Sequence, residues 1–278
     1  MGNIIEFAKK NRVIQDFCRV VRKPAFGYRL EIHLADHCNL NCKSCAHFAP
    51  LAEPKFIDLN QLEQSLRHLS EIGVERHYYA VHLQGGEPLL CPDVEEVCRI
   101  VRQYLPSIKI MLITNGILLP SQSEHFWKAM NRFKIEVCMT VYPIELDLDT
   151  IRKRAEEYGV SCSIFADGNV QWRRRPLSDK APYSRYKNYF QCAMFQVCNQ
   201  LYDGKLFMCP VSAYCGHLNK AFGTRFEQKK GDYIAVEDIK SLRQIKMWNA
   251  LPHESCKYCA PAQKMSWDIS KREKDEWI

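Results

Sequence analysis

His37-Cys38-Asn39-Leu40-Asn41-Cys42-Lys43-Ser44-Cys45 decides how this chain is read. The three cysteines stand in C-x3-C-x2-C spacing and directly follow Tyr28–Ala35, a stretch that reads as a β-strand. They therefore lie in a loop at a strand's C-terminal end. Three thiolates on one loop can hold a corner of a cubane iron–sulfur cluster and leave one of the four irons open. An open iron can bind and polarise a small molecule, as the free position of any catalytic metal centre does. A zinc site completed by His37 or His47 fits the same spacing.

Outward from that loop, strands and helices alternate. Helices are expected over 58–72, 92–104, 121–133 and 148–158, with Asp58 as an N-cap and Gly73 as a stop. Strands are expected over 77–83, 108–113, 135–141 and 160–165. Such an alternation predicts a parallel sheet with right-handed crossovers, whose active site gathers at the C-terminal strand ends. Three further polar segments fall at that same end: Gln84-Gly85-Gly86-Glu87-Pro88, Ile113-Thr114-Asn115-Gly116 and Thr140-Val141-Tyr142-Pro143. Each alone reads as a turn. Four at one end of consecutive strands make a site. The paired glycines would let backbone approach a ligand closely.

The alternation breaks near Ala166. Residues 166–189 read as a linker or lid and carry Trp172-Arg173-Arg174-Arg175, which reads as a solvated loop before a nucleic-acid patch, with a clamp for phosphate as a third reading. Beyond it, Asp203-Gly204 marks a hairpin between 197–201 and 205–208, a helix is expected over 239–250, and a charged tail follows Cys256-Lys257-Tyr258-Cys259. Cys192, Cys209, Cys256 and Cys259 are four thiolates able to close a second site, as a zinc ribbon or a cluster. Residues 1–27 read as a basic amphipathic helix. The expected division is 1–27, a helical extension; 28–189, an α/β unit with its linker; and 190–278, a small Cys-rich unit.

Composition bounds the rest. The chain has 278 residues, 14 cysteines and a formal charge of +7. No apolar run reaches the roughly 18 residues of a membrane span, and no secretory signal is visible, so a cytoplasmic location is expected. Cytosol does not keep disulfides, which leaves ligation, redox chemistry or burial for the thiols. The basic residues are dispersed, so no nucleic-acid partner is expected, while an anionic small molecule suits the charge.

Cys38, Cys42 and Cys45, followed by Gly85-Gly86-Glu87-Pro88 and Thr114-Asn115-Gly116, resemble the radical SAM superfamily over about residues 28–165. The resemblance implies an α/β fold, a partial (β/α)6 barrel. It implies that Cys38, Cys42 and Cys45 hold a [4Fe–4S] cluster whose open iron binds S-adenosylmethionine. Gly85, Gly86 and Glu87 would hold the amino end of that cofactor. Thr114, Asn115 and Thr140 would lie near its ribose or carboxylate. The family often places an aromatic residue before the third cysteine; here it is Ser44, with Phe48 as a possible substitute.

The C-terminal part resembles a twitch-type auxiliary-cluster domain, the short form of SPASM. That implies a second [4Fe–4S] cluster on Cys192, Cys209, Cys256 and Cys259, and an electron donor such as flavodoxin or ferredoxin. The two-cluster layout resembles radical SAM dehydrogenases and epimerases of aminoglycoside and aminocyclitol pathways, and implies a carbohydrate-type substrate. In an epimerase Cys198 or Cys215 would be the thiol that returns a hydrogen atom. Maturation of a ribosomally made peptide and a zinc-stabilised binding module are the alternatives. Cys18, Cys91, Cys98, Cys138 and Cys162 are expected to be packing residues. His33, His82, Glu31 and Glu136 are candidate pocket groups.

Overall fold

A computed structural model describes residues 28–166, 172–192 and 198–278. The expected helix over 1–27 lies outside the described residues.

Strands β1 (Tyr28–His33), β2 (Tyr78–Gln84), β3 (Lys109–Thr114), β4 (Ile135–Thr140) and β5 (Cys162–Ala166) form wherever the apolar stretches foretold them. Helices α1 (Leu59–Glu71), α2 (Val94–Tyr104), α3 (Glu124–Arg132) and α4 (Leu148–Glu157) make the crossovers. Their starts are fixed by side-chain caps. Asp58 accepts from the Gln61 N–H, Ser123 from Phe126 and Asp147 from Thr150. Helix α2 starts two residues after Pro92, with Asp93 at its N-cap.

One sheet runs in the order β5-β4-β3-β2-β1-β7-β8-β9. Strand β7 (Cys198–Tyr202) pairs parallel to β1, with Arg29 opposite Cys198 and Ile32 opposite Leu201. It is the sixth parallel strand of the barrel sheet. Strands β8 (Lys205–Phe207) and β9 (Tyr233–Ala235) continue the sheet antiparallel, and Asp203-Gly204 turns β7 into β8, with positive φ at both residues. The sheet thus runs unbroken across the expected boundary at residue 190.

The expected linker also carries structure. It contains β6 (Trp172–Arg174), which pairs antiparallel with β10 (Gln263–Met265), and most of α5 (Arg185–Gln191). Short helices α6 (Pro210–Tyr214) and α7 (Gly216–Phe222) and helix α8 (Leu242–Asn249) complete the chain.

Period-2 alternation along β1 sends Leu30 and Ile32 into the main apolar core and Glu31 and His33 to the opposite face. A second core gathers Phe48, Leu177, Phe207, Tyr214, Leu218 and Trp277. Among the described residues no helix is long and apolar enough to cross a membrane.

Candidate cofactor site at the strand ends

The cysteine loop leaves β1 through Ala35–His37, and the loop after β2 lies directly against it. Gly86 N–H donates to Ala35 O at 2.6 Å, and Glu87 N–H to His37 O at 3.1 Å. A Cβ on Gly85 would overlap the Ala35 backbone, and one on Gly86 the His37 carbonyl. The backbone that these glycines admit so closely is therefore the chain's own.

Glu87 is the tie between the loops. Its carboxylate accepts from Thr114 Oγ1 at 2.6 Å, Asn115 N–H at 2.9 Å and Leu89 N–H at 3.1 Å. Burial pushes its pKa up to about 7, against the pull of those three donors. Asn115 in turn donates from Nδ2 to Asn39 Oδ1 at 2.7 Å and to Cys38 Sγ at 3.7 Å. Thr140 ends β4 half-buried. Three of the four segments at the strand ends thus meet: β2's loop holds β3's loop, and β3's loop reaches the first cysteine.

Burial raises Cys38 to about 11 and Cys42 to about 12, and raises Cys45 as well; the neighbouring thiols push Cys38 and Cys42 further in the same direction. A bound cation reverses that balance by favouring thiolates. Leu40 N–H already points at Cys38 Sγ from 3.4 Å, the kind of donor that stabilises a charged sulfur. Buried, mutually repelling thiols on one loop are a donor set suited to an iron–sulfur cluster. Among the described residues no three His, Cys, Asp or Glu side chains are grouped so as to hold a single metal ion.

The sequence reading missed what holds this loop down. The segment after β10 is bound to its second half, Asn41 to Cys45. Lys43 N–H donates to Asp268 O, Ser270 N–H to Asn41 O, and Cys42 forms a bridge with Ile269. Trp277 Nε1 donates to Cys45 O at 3.0 Å, and Trp172 Nε1 to Lys43 O at 2.7 Å. Tryptophans at 267 and 277 within a charged tail were the available signal. Tyr142, from the segment after β4, packs against Trp172 and Trp267 beside Cys42.

Ser44 is buried and donates from Oγ to Glu276 O at 2.7 Å, so its side chain serves the tail. Phe48 is 1% exposed and sits in the second core. It packs in one cluster with Phe207, Tyr214 and Trp277, and it also lines a cavity beside Ser44 and Cys45.

The second cysteine group also assembles. Cys209, Cys256 and Cys259 are all raised chiefly by burial, and each also feels the charge of Cys192. Asn188 on α5 holds the knuckle by donating to Cys256 O at 2.8 Å and Cys259 O at 2.5 Å. Cys45 of the first group and Cys192, Cys209 and Cys259 of the second line one cavity of about 160 Å³.

Cys198 and Cys215 are buried beside the second group and outside the lining of that cavity. Cys215 packs in the second core, and Cys198 begins β7 at the register of Arg29, four residues before His33 on β1. Cys91, Cys98 and Cys138 are buried and Cys162 is half-buried, as packing residues would be.

The polar strand residues find partners within the protein. Glu31 pairs with Arg29 at 2.6 Å and accepts from Gln200; Glu136 pairs with Lys109 at 2.5 Å and accepts from Ser163. His33 stacks on Tyr214 with its Nε2 3.0 Å from Asp36 Oδ1. Burial lowers His82 to about 3.

Residues 32–137 match the family model described as the Radical SAM superfamily. A GTP 3',8-cyclase of Microcystis aeruginosa is 33% identical over 125 residues, 45% of this chain and 36% of that protein. One from Aquifex aeolicus is 36% identical over 115 residues, covering 39% and 34%. The chain spans about a third of the length of these relatives. Among solved structures, BtrN in complex with AdoMet and 2-DOIA aligns over 92% of this chain and 98% of its own, with a TM-score of 0.50 at 13% identity. That likeness is one of fold.

Proposed function

We propose that this chain, whose residues 32–137 match the Radical SAM superfamily, is a radical SAM enzyme that oxidises a carbohydrate-type small molecule (a sugar, sugar nucleotide or aminocyclitol) at an unactivated carbon. The observation that carries this reading is the single cavity lined by thiols of both cysteine groups. Cys38, Cys42 and Cys45 would hold the first [4Fe–4S] cluster with S-adenosylmethionine, and Cys192, Cys209, Cys256 and Cys259 a second. Bound there, these groups supply reductive cleavage to a carbon radical, hydrogen-atom abstraction and an acceptor for the remaining electron.

The chain's own contribution is placement. Glu87 locks the loops after β2 and β3 together, which fixes Asn115 against Cys38. Asn115, Thr140 and the backbone at Gly85-Gly86 are the groups available to S-adenosylmethionine. The segment over residues 267–277 covers the cysteine loop and limits water there. Dehydrogenation is favoured over epimerisation because neither Cys198 nor Cys215 lines the shared cavity. Flavodoxin or ferredoxin is the class of reductant required.

The fold likeness to BtrN over nearly the whole chain favours an aminocyclitol-like substrate. A second reading, cyclisation of GTP, rests on the identity to the curated cyclases.

The test is protein purified without oxygen and assayed with a panel of deuterated sugars, aminocyclitols and GTP. About eight irons are expected if both sites are cubanes. Deuterium should reach 5′-deoxyadenosine from one member of the panel, and the Cys38/Cys42/Cys45→Ala triple variant should form no 5′-deoxyadenosine. Cleavage surviving in that variant would overturn the assignment. Label from GTP alone would select the second reading.

A further inference from the structure

We propose that the β6 arginines form a binding site for a phosphoryl group, so that the substrate is a phosphorylated sugar. This deepens the function proposed above and rests on it.

Arg173, Arg174 and Arg175 line the cavity that both cysteine groups share. No Asp or Glu is among its described lining residues, and none of the three arginines makes an ion pair with a described Asp or Glu side chain. Arg174 Nε is buried without a hydrogen-bond partner; its Nη2 reaches only Ile278 O, at 3.4 Å. A buried guanidinium N–H without an acceptor is costly and is rarely left so.

The arginines are also held in place. β6 pairs with β10 at Arg174–Gln263 and Arg173–Lys264, and Trp172 is anchored on Lys43 O. The sequence left three readings for this run: a solvated loop, a nucleic-acid patch or a phosphate clamp. Half-burial of Arg174 and Arg175 beside a thiol-lined cavity is not a solvated loop.

The required acceptor is a compact anion with several oxygens. Guanidinium forks match phosphate geometry, and the half-buried Arg174 and Arg175 beside one cavity favour a dianion over a monoanionic carboxylate. The rest of the wall is apolar, with Phe48, Leu177, Val211 and Trp277. A sugar ring can lie against such a surface while its phosphate meets the arginines. Arg175 also stands near enough to Cys259 to favour its thiolate. A role confined to balancing the thiolates is the outcome that would defeat the proposal.

The experiment is titration calorimetry on the iron-loaded protein with inorganic phosphate, glucose 6-phosphate and glucose. Phosphate should bind saturably, and glucose 6-phosphate at least about tenfold more tightly than glucose. An Arg174→Gln/Arg175→Gln variant should lose that preference, and an Arg174→Lys/Arg175→Lys variant should keep part of it. Iron content and circular dichroism report whether the variants fold. A measurement that needs no variant is broadening of the phosphate ³¹P resonance by the reduced, paramagnetic protein. Absent saturation, absent broadening, or an unchanged preference in the glutamine variant would overturn the site. A preparation that forms 5′-deoxyadenosine but binds no phosphate refutes this inference alone; one that forms none refutes the function beneath it.

Discussion

The two cysteine groups are built in opposite ways. Cys38, Cys42 and Cys45 fall on one loop, shaped locally by left-handed turns at Asn41 and Ser44. Cys192, Cys209, Cys256 and Cys259 come from the end of α5, the start of α6 and the knuckle after α8. The compact loop nonetheless depends on distant chain, because the residues that bind it are 172, 268, 270, 276 and 277. The dispersed group is also held by distant chain: Asn188 spans the carbonyls of Cys256 and Cys259, Leu177 bridges Cys259, and Ala260 N–H donates to Pro176 O. Closeness in sequence sets where thiols can meet; what keeps them there is a separate matter.

The contrast can be broken most sharply at the ligands. Cys256→Ala should halve the iron content, from about eight to about four, and remove product while 5′-deoxyadenosine still forms. Loss of both activities together would show that the groups are not separable. Asn188→Ala is the gentler version, with the second cluster lost first on exposure to air, followed by its visible absorbance.

Gly86→Ala attacks the first group through packing. A Cβ there overlaps backbone, which cannot swing aside. Destabilisation of about 1–3 kcal/mol or more is expected, read by urea unfolding, together with lost iron at the first site.

Glu87 gives a pH signature. Burial raises its folded-state pKa from 4.5 to about 7, so the folded protein retains a proton that the unfolded chain releases. Its stabilising contribution is fullest below about pH 4.5 and is lost as pH rises through about 7, a change of about 3 kcal/mol. The difference in unfolding free energy between the wild type and Glu87→Gln, measured across that range, should carry this slope. The smallest effect is expected at Ser44→Ala, about 1 kcal/mol for one buried hydrogen bond to the tail.

The barrel half was legible because its signals are local. Asp58, Ser123 and Asp147 cap helices in their own first turns, and Asp203-Gly204 turns its own hairpin. The pairing of β7 with β1 was not legible, since strand adjacency across some 165 residues leaves no trace in either stretch. The same holds for the tail. Lys264, Asp268, Lys271 and Glu273 read as solvated, while the contacts that matter are backbone carbonyls and two tryptophans among them. Gly85-Gly86 was read correctly as a point of close approach, but the partner is Ala35–His37, which spacing alone could not name. Glu87 was expected to meet a ligand; that it also fastens the loops after β2 and β3 through three internal donors was not legible.

Strand β7 and residues 268–277 are translated long after the cysteine loop they secure. Until they emerge from the ribosome, β1 has a partner only on its β2 side, and the cysteine loop lacks the backbone partners that residues 268–277 supply. The loop therefore gains its backbone partners only after residue 270 has left the ribosome, and a nascent chain stalled before that point should leave Cys38, Cys42 and Cys45 open to thiol reagents.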